Sequence, residues 1–334
     1  MFTEIQSLIE SQSKYRLIQI KNAIFKNLIT DWNDSTTLPK ELKEQLNTAF
    51  PLDLPAEFYP SSDGKTVKAL MTLRDGAIIE AVLMLGHERQ TVCVSSQVGC
   101  ANGCTFCATG DMGFTRNLTV WEIVAQVILF NRYLKSSGQH VSNVVVMGMG
   151  EPFSNYKNVI AAIKTLNEKD GFNLGWRRMS VSTCGLPDKI RNFSREPFEV
   201  NLALSLHAPT DKIRSTLMPI NQRYPLSEVM SAIDEYIDTT RRKVMFEYML
   251  IKGVNDSDSC AYQLASILKG KLAVLNLIPY NPTSHTDYVE SDKNRIKQFK
   301  SILDQRGINV TERFRHGRDI SAACGQLAAD QQSE

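Results

Sequence analysis

The chain opens on a helical pattern. Leu17, Ile20, Ile24 and Leu28 recur at helical spacing, with Lys14, Arg16, Lys21 and Lys26 between them, which predicts an amphipathic helix with a basic stripe. Pro39 opens a second short helix over LPKELKEQLNTAF, where its missing N–H costs nothing. Residues 55 to 90 turn β-like, with AIIEAVLML as the clearest strand. From about residue 91 strands and helices alternate. TVCVSS, NVVVMG, RMSVSTC, VNLALSL, KVMFEYMLI and VLNLIP read as strands. LTVWEIVAQVILFNRYL, NYKNVIAAIKTL, LSEVMSAIDEYIDTT, AYQLASILK and NRIKQFKSIL read as the main helices, with a further short one after RMSVSTC.

The strands are rich in Val, Ile and Leu with little polar alternation, as expected when both faces are buried. Repeated β–α units imply a parallel sheet with right-handed crossovers. About six units are too few for an eight-stranded barrel. The fold class is therefore α/β, an open partial (β/α)6 barrel. The expected divisions are a helical unit over 1–52, a β extension over 53–90, the barrel over 91–327 and a polar tail over 328–334. Chemistry in barrel-like folds sits at the C-terminal strand ends, so the loops after Ser96, Met147, Thr183, Leu206 and Ile278 are the ones to inspect.

Composition narrows the class. The 334 residues are 43% apolar and 22% charged, with net charge +2. That is an ordinary globular composition and not a polycation, although clustered Lys and Arg can still hold nucleic acid. No run approaches ~18 apolar residues, so no membrane span is expected. The N-terminus lacks a basic stretch leading into an apolar core, so it does not read as a signal peptide and a cytoplasmic location is expected. Seven cysteines without a secretion signal argue against a disulfide framework and point to metal, redox or covalent chemistry, or to burial.

Three of those cysteines lie close together, as Cys100-Ala-Asn-Gly-Cys104-Thr-Phe-Cys107, directly after the first barrel strand. One loop can wrap such a triplet around a compact iron–sulfur cluster, and three ligands on a four-iron cube leave one iron open to a small molecule. Structural zinc wants four ligands, usually as two separated pairs. Here there is no second pair, though Cys93 or Cys324 could serve as a fourth ligand. A zinc-stabilised, non-catalytic RNA-binding protein is thus the competing class.

The triplet resembles the cluster loop of radical S-adenosylmethionine (SAM) enzymes. The fuller run CVSSQVGCANGCTFCATGDMGFTRNLT, with MGMGEP, SLHAPTD, LIPYNP and DISAACGQL further on, resembles the RlmN/Cfr family, whose members methylate adenine in 23S ribosomal RNA. The likeness runs from about Tyr15 to Leu327, with several motifs in the same order. It implies a radical SAM barrel, a [4Fe–4S] cluster on Cys100, Cys104 and Cys107, and two SAM molecules per turnover. One SAM methylates Cys324; a radical from the second activates that methyl group, which then bonds to the adenine. Cys93, seven residues before Cys100, is the implied resolving partner that forms a disulfide with Cys324. Glu80, in AIIEAVLM, is the implied base. Gly150 and Glu151 are implied contacts to the methionyl amine, with Ser182, Ser205, Leu206, His207 and Asn281 completing the SAM site. Cys184 and Cys260 gain nothing from the match and read as structural.

The resemblance further implies that residues 1–52 form an accessory RNA-binding domain, that a flavodoxin-like protein donates electrons, and that the chain acts as a monomer. Arg177 and Arg178, the run Arg241-Arg242-Lys243, and Arg313, Arg315 and Arg318 beside Cys324 are candidate RNA contacts. Two activities exist in the family, at carbon 2 and at carbon 8 of adenine. Glu151-Pro152, Glu247 and Pro279 resemble the carbon 2 type, whose members also modify transfer RNA. MPINQRYP and the short C-terminus occur in the carbon 8 type as well, which leaves a Cfr-type activity as the alternative.

Overall fold

The computed structural model describes residues 14–283, 286–312 and 317–329. Helix α1 (Lys14–Asn22) runs into a π-helical turn at Ala23–Asn27 and stops at Leu28, which is left-handed with φ 57°. The regular α pattern expected through Leu28 is broken because Ala23, Ile24 and Phe25 are all buried. Three consecutive residues cannot share one face of an α-helix, and the wider turn brings them inward together. Pro39 caps rather than enters the next helix, α2 (Lys40–Ala49), which buries Leu42 and Leu46 one turn apart. Trp32 is fully buried and donates its indole N–H to the Phe50 carbonyl at 2.7 Å.

Three antiparallel strands follow, β1 (Ala56–Pro60), β2 (Thr66–Thr72) and β3 (Ile78–Leu85). They join the edge of the first barrel strand, β4 (Gln90–Val94), with Val82 opposite Cys93. Extension and barrel therefore form one sheet. Next comes a small separate hairpin, β5 (Gln97–Gly99) and β6 (Phe114–Asn117), which frames the cysteine loop and holds the short helix α3 (Ala108–Asp111). Its strands are too short and too rich in polar residues and glycine to carry a readable period.

The parallel run then proceeds in chain order through β7 (Asn143–Val146), β8 (Met179–Thr183), β9 (Asn201–Ser205), β10 (Val244–Leu250) and β11 (Ala273–Pro279). Helices α4 (Val120–Leu134), α5 (Tyr156–Asn167), α6 (Pro187–Ser194), α7 (Asp211–Leu217), α8 (Leu226–Thr240) and α9 (Asp258–Leu268) connect them, and α10 (Lys293–Gln305) follows β11. The six strands expected from the pattern are present. A seventh parallel strand, β12 (Val310–Glu312), was not foreseen; it pairs with β11 over only three residues. The strand order is linear from β1 to β12, an open α/β barrel.

Helix α4 shows how the parts are fastened. Thr119 and Glu122 form a capping box, and ten of its fifteen residues are buried. It packs along β4, while Trp121 meets Phe50 edge-on at 4.8 Å and Arg132 donates to the Leu52 carbonyl at 3.0 Å. Each fully buried Leu, Ile or Phe contributes about 1.5–3 kcal/mol. Among the described residues no helix is long and apolar enough to cross a membrane.

Candidate active site

Strand β4 delivers the chain into the cysteine loop at the C-terminal rim of the sheet. The loop closes when the Cys100 N–H donates to the Gly113 carbonyl at 2.7 Å. Gly99, at φ 72°, makes this possible: a Cβ there would lie 1.9 Å from the Gly113 oxygen. The Thr105 N–H donates to the Leu217 carbonyl at 3.0 Å, tying the loop to α7, and the Ala108 N–H donates to the Gly325 carbonyl at 2.8 Å. Cys100, Cys104 and Cys107 thereby line one cavity of about 150 Å³. Its remaining wall comes from the strand ends, as the barrel rule predicts: Gly148, Gly150 and Glu151 after β7, Ser182 and Cys184 at β8, Ser205 and His207 at β9, Glu247 on β10 and Ile278 on β11. Cys324 lines the same cavity.

Burial governs the electrostatics here. It pushes the Cys100 and Cys107 thiols above their ordinary range, so a cation is needed to hold them as thiolates. Burial also pushes Glu151 up, against the N–H groups of Cys184 (2.7 Å) and Phe153 (2.9 Å) that donate to its oxygens. His207 is driven down to about 3, first by burial and then by the nearby Arg214 guanidinium. Its Nδ1 accepts the Met249 N–H at 3.0 Å, so the neutral ring keeps its proton on Nε2 and presents a donor.

A second cavity of about 520 Å³ adjoins the first, with Cys107, Gly148, Cys324 and Gly325 in both linings. Cys93, Asn281, Val82 and Met84 belong to it. Asn281 donates to the Cys324 carbonyl at 3.2 Å, while its own Oδ1 is buried with no partner among the described residues. That orphaned acceptor can receive a hydroxyl or amine of a bound molecule.

Two site residues expected from the sequence stand apart from these linings. Leu206 is fully buried and donates its N–H to the Glu247 carbonyl at 3.0 Å. Glu80 is 1% exposed and pairs with Lys68 at 2.9 Å. Its face of β3 is shared with Val82 and Met84, but Ala328, whose N–H donates to its Oε2 at 3.0 Å, covers it. Of the basic groups, Arg177 is paired with Glu199 and Arg241 with Asp238, and Arg242 binds the Val200 carbonyl. Arg318 reaches Glu290 at 3.4 Å. Arg313 and Arg315 lie outside the described residues.

Sequence reasoning missed three side chains. Cys184, read as structural, lines the cavity and its thiol is hydrogen-bonded to Cys104. Arg214 is fully buried and donates to the carbonyls of Cys184, Ser205 and Leu206 and to Asn221. Lys68 reads as an ordinary strand lysine. None carries a local signal, because each is defined by partners that strand pairing and loop packing, not adjacency in sequence, bring beside it.

The donor set suits a cluster. Three soft thiolates lie on one wall, matching the ligand number that leaves an iron open. Among the described residues no three His, Cys, Asp or Glu side chains gather tightly enough for a single metal ion, which a zinc site would require.

Comparison with known proteins gives the family. Residues 94–261 match the model of the Radical SAM superfamily. A solved radical SAM methyltransferase from Sphaerobacter thermophilus is 48% identical, with a TM-score of 0.95, over 98% of this chain and 97% of that one. The "Probable dual-specificity RNA methyltransferase RlmN 2" of Protochlamydia amoebophila is 43% identical over 330 residues, 97% of this chain and 92% of that protein. The RlmN protein of Streptococcus mutans is 44% identical over 325 residues, 96% and 90%. The chain belongs to the RlmN family. It is therefore a radical SAM methyltransferase, and its superfamily implies SAM and a [4Fe–4S] cluster as cofactors. An RlmN-family reading also makes sense of Cys324 beside the triplet, which a cluster alone would not require.

Proposed function

We propose that the protein methylates carbon 2 of an adenine in 23S ribosomal RNA, and of an adenine in transfer RNA, with Cys324 as the methyl carrier. The observation that carries this reading is the place of Cys324. It borders both the cavity of the three cluster cysteines and the larger cavity that contains Cys93. Carbon 2 lies between two ring nitrogens and is electron-poor, so ordinary displacement from SAM, itself an electrophile, does not serve. When bound, the cluster and SAM supply an electron and a hydrogen-abstracting radical.

The chain's own residues do the rest. Cys100, Cys104 and Cys107 hold the cluster. Glu151 accepts from the SAM ammonium group, His207 offers its Nε2 proton, and Gly150, Ser182, Ser205, Asn281 and the Leu206 backbone complete the rim. Cys324 gives up its thiol proton, takes a methyl group and carries it to the base. Glu80 takes the proton from carbon 2. Cys93, as the thiolate, attacks the Cys324 sulfur; the sulfur–carbon bond breaks with its electron pair going to carbon, which takes up a proton to become the methyl group, and the disulfide left behind is reopened by an external dithiol. A target adenine must leave its stack to reach this depth. The work is expected in the cytoplasm, by a monomer, with a flavodoxin-like electron donor.

The test is mass spectrometry of ribosomal and transfer RNA from cells with and without the protein. 2-Methyladenine that disappears with the protein is the expected result. 8-Methyladenine, or no change, overturns the proposal.

A further inference from the structure

Lys68 and Glu80 form an ion pair with almost no contact with water. The Nζ–Oε1 distance is 2.9 Å, and the two side chains are 3% and 1% exposed. They sit on adjacent strands, Lys68 on β2 and Glu80 on β3, where Leu70 is the residue opposite Glu80 and Val82 the one opposite Lys68. Such a pair is a poor stabiliser, because desolvating two charges offsets most of their attraction. An apolar pair would fill the same space at no greater cost. The pair's position suggests what the charges are for. Glu80 shares its face of β3 with Val82 and Met84, in the wall of the larger cavity, with Cys93 on the neighbouring strand and Cys324 across it.

Among the described residues the surroundings of the carboxylate are otherwise neutral. The Glu80 N–H meets Met149 Sδ at 3.2 Å, and Ser95 donates its hydroxyl to the Glu80 carbonyl at 2.6 Å. From the C-terminal segment come the N–H groups of Ala328 and Ala329. The thiol of Cys93 on β4 is the titratable group sharing that face. Lys68 is the cation that meets the carboxylate, and it is itself held over the Tyr59 ring at 5.7 Å. Burial works against the charged form of Glu80, and Lys68 opposes it.

We infer that Lys68 is a positioning residue for this methyl transfer: it favours the ionised form of the buried Glu80 and fixes its carboxylate on the face of β3 that Val82 and Met84 extend into the wall of the larger cavity. The inference rests on Glu80 being the base. Without Lys68 nothing would oppose the burial that favours the neutral acid in that place except the two N–H groups of the C-terminal segment. The β extension is then part of the reaction apparatus, since it brings the lysine that charges the base.

The test is the pH dependence of methylated adenine formation by the full-length, cluster-loaded enzyme with excess chemical reductant. Lys68→Met and Lys68→Gln remove the cation; the Gln variant keeps a hydrogen-bond donor and guards against loss of fold in the other. Both should move the acid limb of the profile toward higher pH by about 1–3 pH units, the range of an adjacent opposite charge, with rate recovering in alkali. Lys68→Arg should leave the limb in place. A neutral variant that loads iron and cleaves SAM, yet keeps the parental limb, overturns the inference. Glu80→Gln is measured alongside: full methylation by that variant strikes at Glu80 as the base, a failure distinct from that of Lys68.

Discussion

The cysteine loop and the C-terminal segment face each other across one cavity and place their thiols by opposite means. Cys100, Cys104 and Cys107 are spaced mainly from within the loop, by a hairpin, Gly99 at positive φ and the Cys100–Gly113, Cys107–Cys104 and Gly110–Cys107 hydrogen bonds, with Thr105 then tying the loop to Leu217. Cys324 is set by long-range bonds. Ala108 donates to Gly325, Thr109 donates to the Leu327 carbonyl, Asn281 donates to the Cys324 carbonyl, and Glu80 accepts from Ala328. A local device fixes spacing tightly and can be read from a short motif. A long-range device can be released and redocked, which suits a residue that must first collect a group and then deliver it.

Removing each device should separate the two. The largest effect is expected for Cys104→Ser, which should reduce bound iron and SAM cleavage to background, measured by metal analysis and by 5′-deoxyadenosine release. Cys324→Ala should behave differently: iron and SAM cleavage persist while methylated adenine falls to background. Its counterpart Cys93→Ala should accumulate a covalent protein–RNA adduct, visible as a shifted band that ribonuclease collapses. If all three variants lost SAM cleavage alike, the distinction between the loop and the segment would be gone.

Gly99→Ala should act on the loop alone. The added Cβ meets the Gly113 carbonyl, and the φ of 72° is costly for alanine, so a loss of about 1–3 kcal/mol is expected in denaturant unfolding. Cluster content should fall with it.

The smallest effect concerns Arg116, which links the hairpin at β6 to Asp75 in the β2–β3 turn at 2.6 Å and to Glu122 of α4 at 2.8 Å. The hydrogen bond from Arg116 lowers the Asp75 carboxyl to about 2. Its folded value lies below the unfolded one of about 3.9. The stabilisation is therefore present above that unfolded value and is lost as pH falls toward about 2. Both groups are partly exposed, so the gain is small and screened by salt. Asp75→Asn should flatten this part of the stability profile at low ionic strength and change little near neutrality.

What the sequence disclosed follows the same division. The β/α alternation and the cysteine triplet are local patterns, and both are found where the spacing placed them. β12 and the β5–β6 hairpin escaped because three or four residues cannot establish a period. The π-turn escaped because Ala23, Ile24 and Phe25 satisfy a helical stripe only in part. Lys68 in TVKALMT looks like a solvent-facing lysine until Glu80 is placed beside it by strand pairing. Arg214 shows the same thing in a helix: its four acceptors are Cys184 after β8, Ser205 and Leu206 at the end of β9, and Asn221. Cys184 was read as structural because no motif marks it; the end of β8 puts it next to Cys104.

The attachment of the C-terminal segment has one more consequence. Most of its anchors use the main chain of residues 324 to 328, while Gln326 adds a side-chain bond to the Pro282 carbonyl at 2.9 Å and Leu327 is buried in the core. A mutational scan of this stretch should therefore be permissive at Ala328, since any residue but proline supplies the same N–H group. The strictest positions should be Cys324, for its sulfur, and Gly325, whose φ of 87° and 3.1 Å approach to the Phe106 carbonyl disfavour a side chain, with Gln326 and Leu327 held by a hydrogen bond and by burial. The signature expected along the segment is then an adjacent Cys-Gly pair, one residue kept for its sulfur and the next for its backbone.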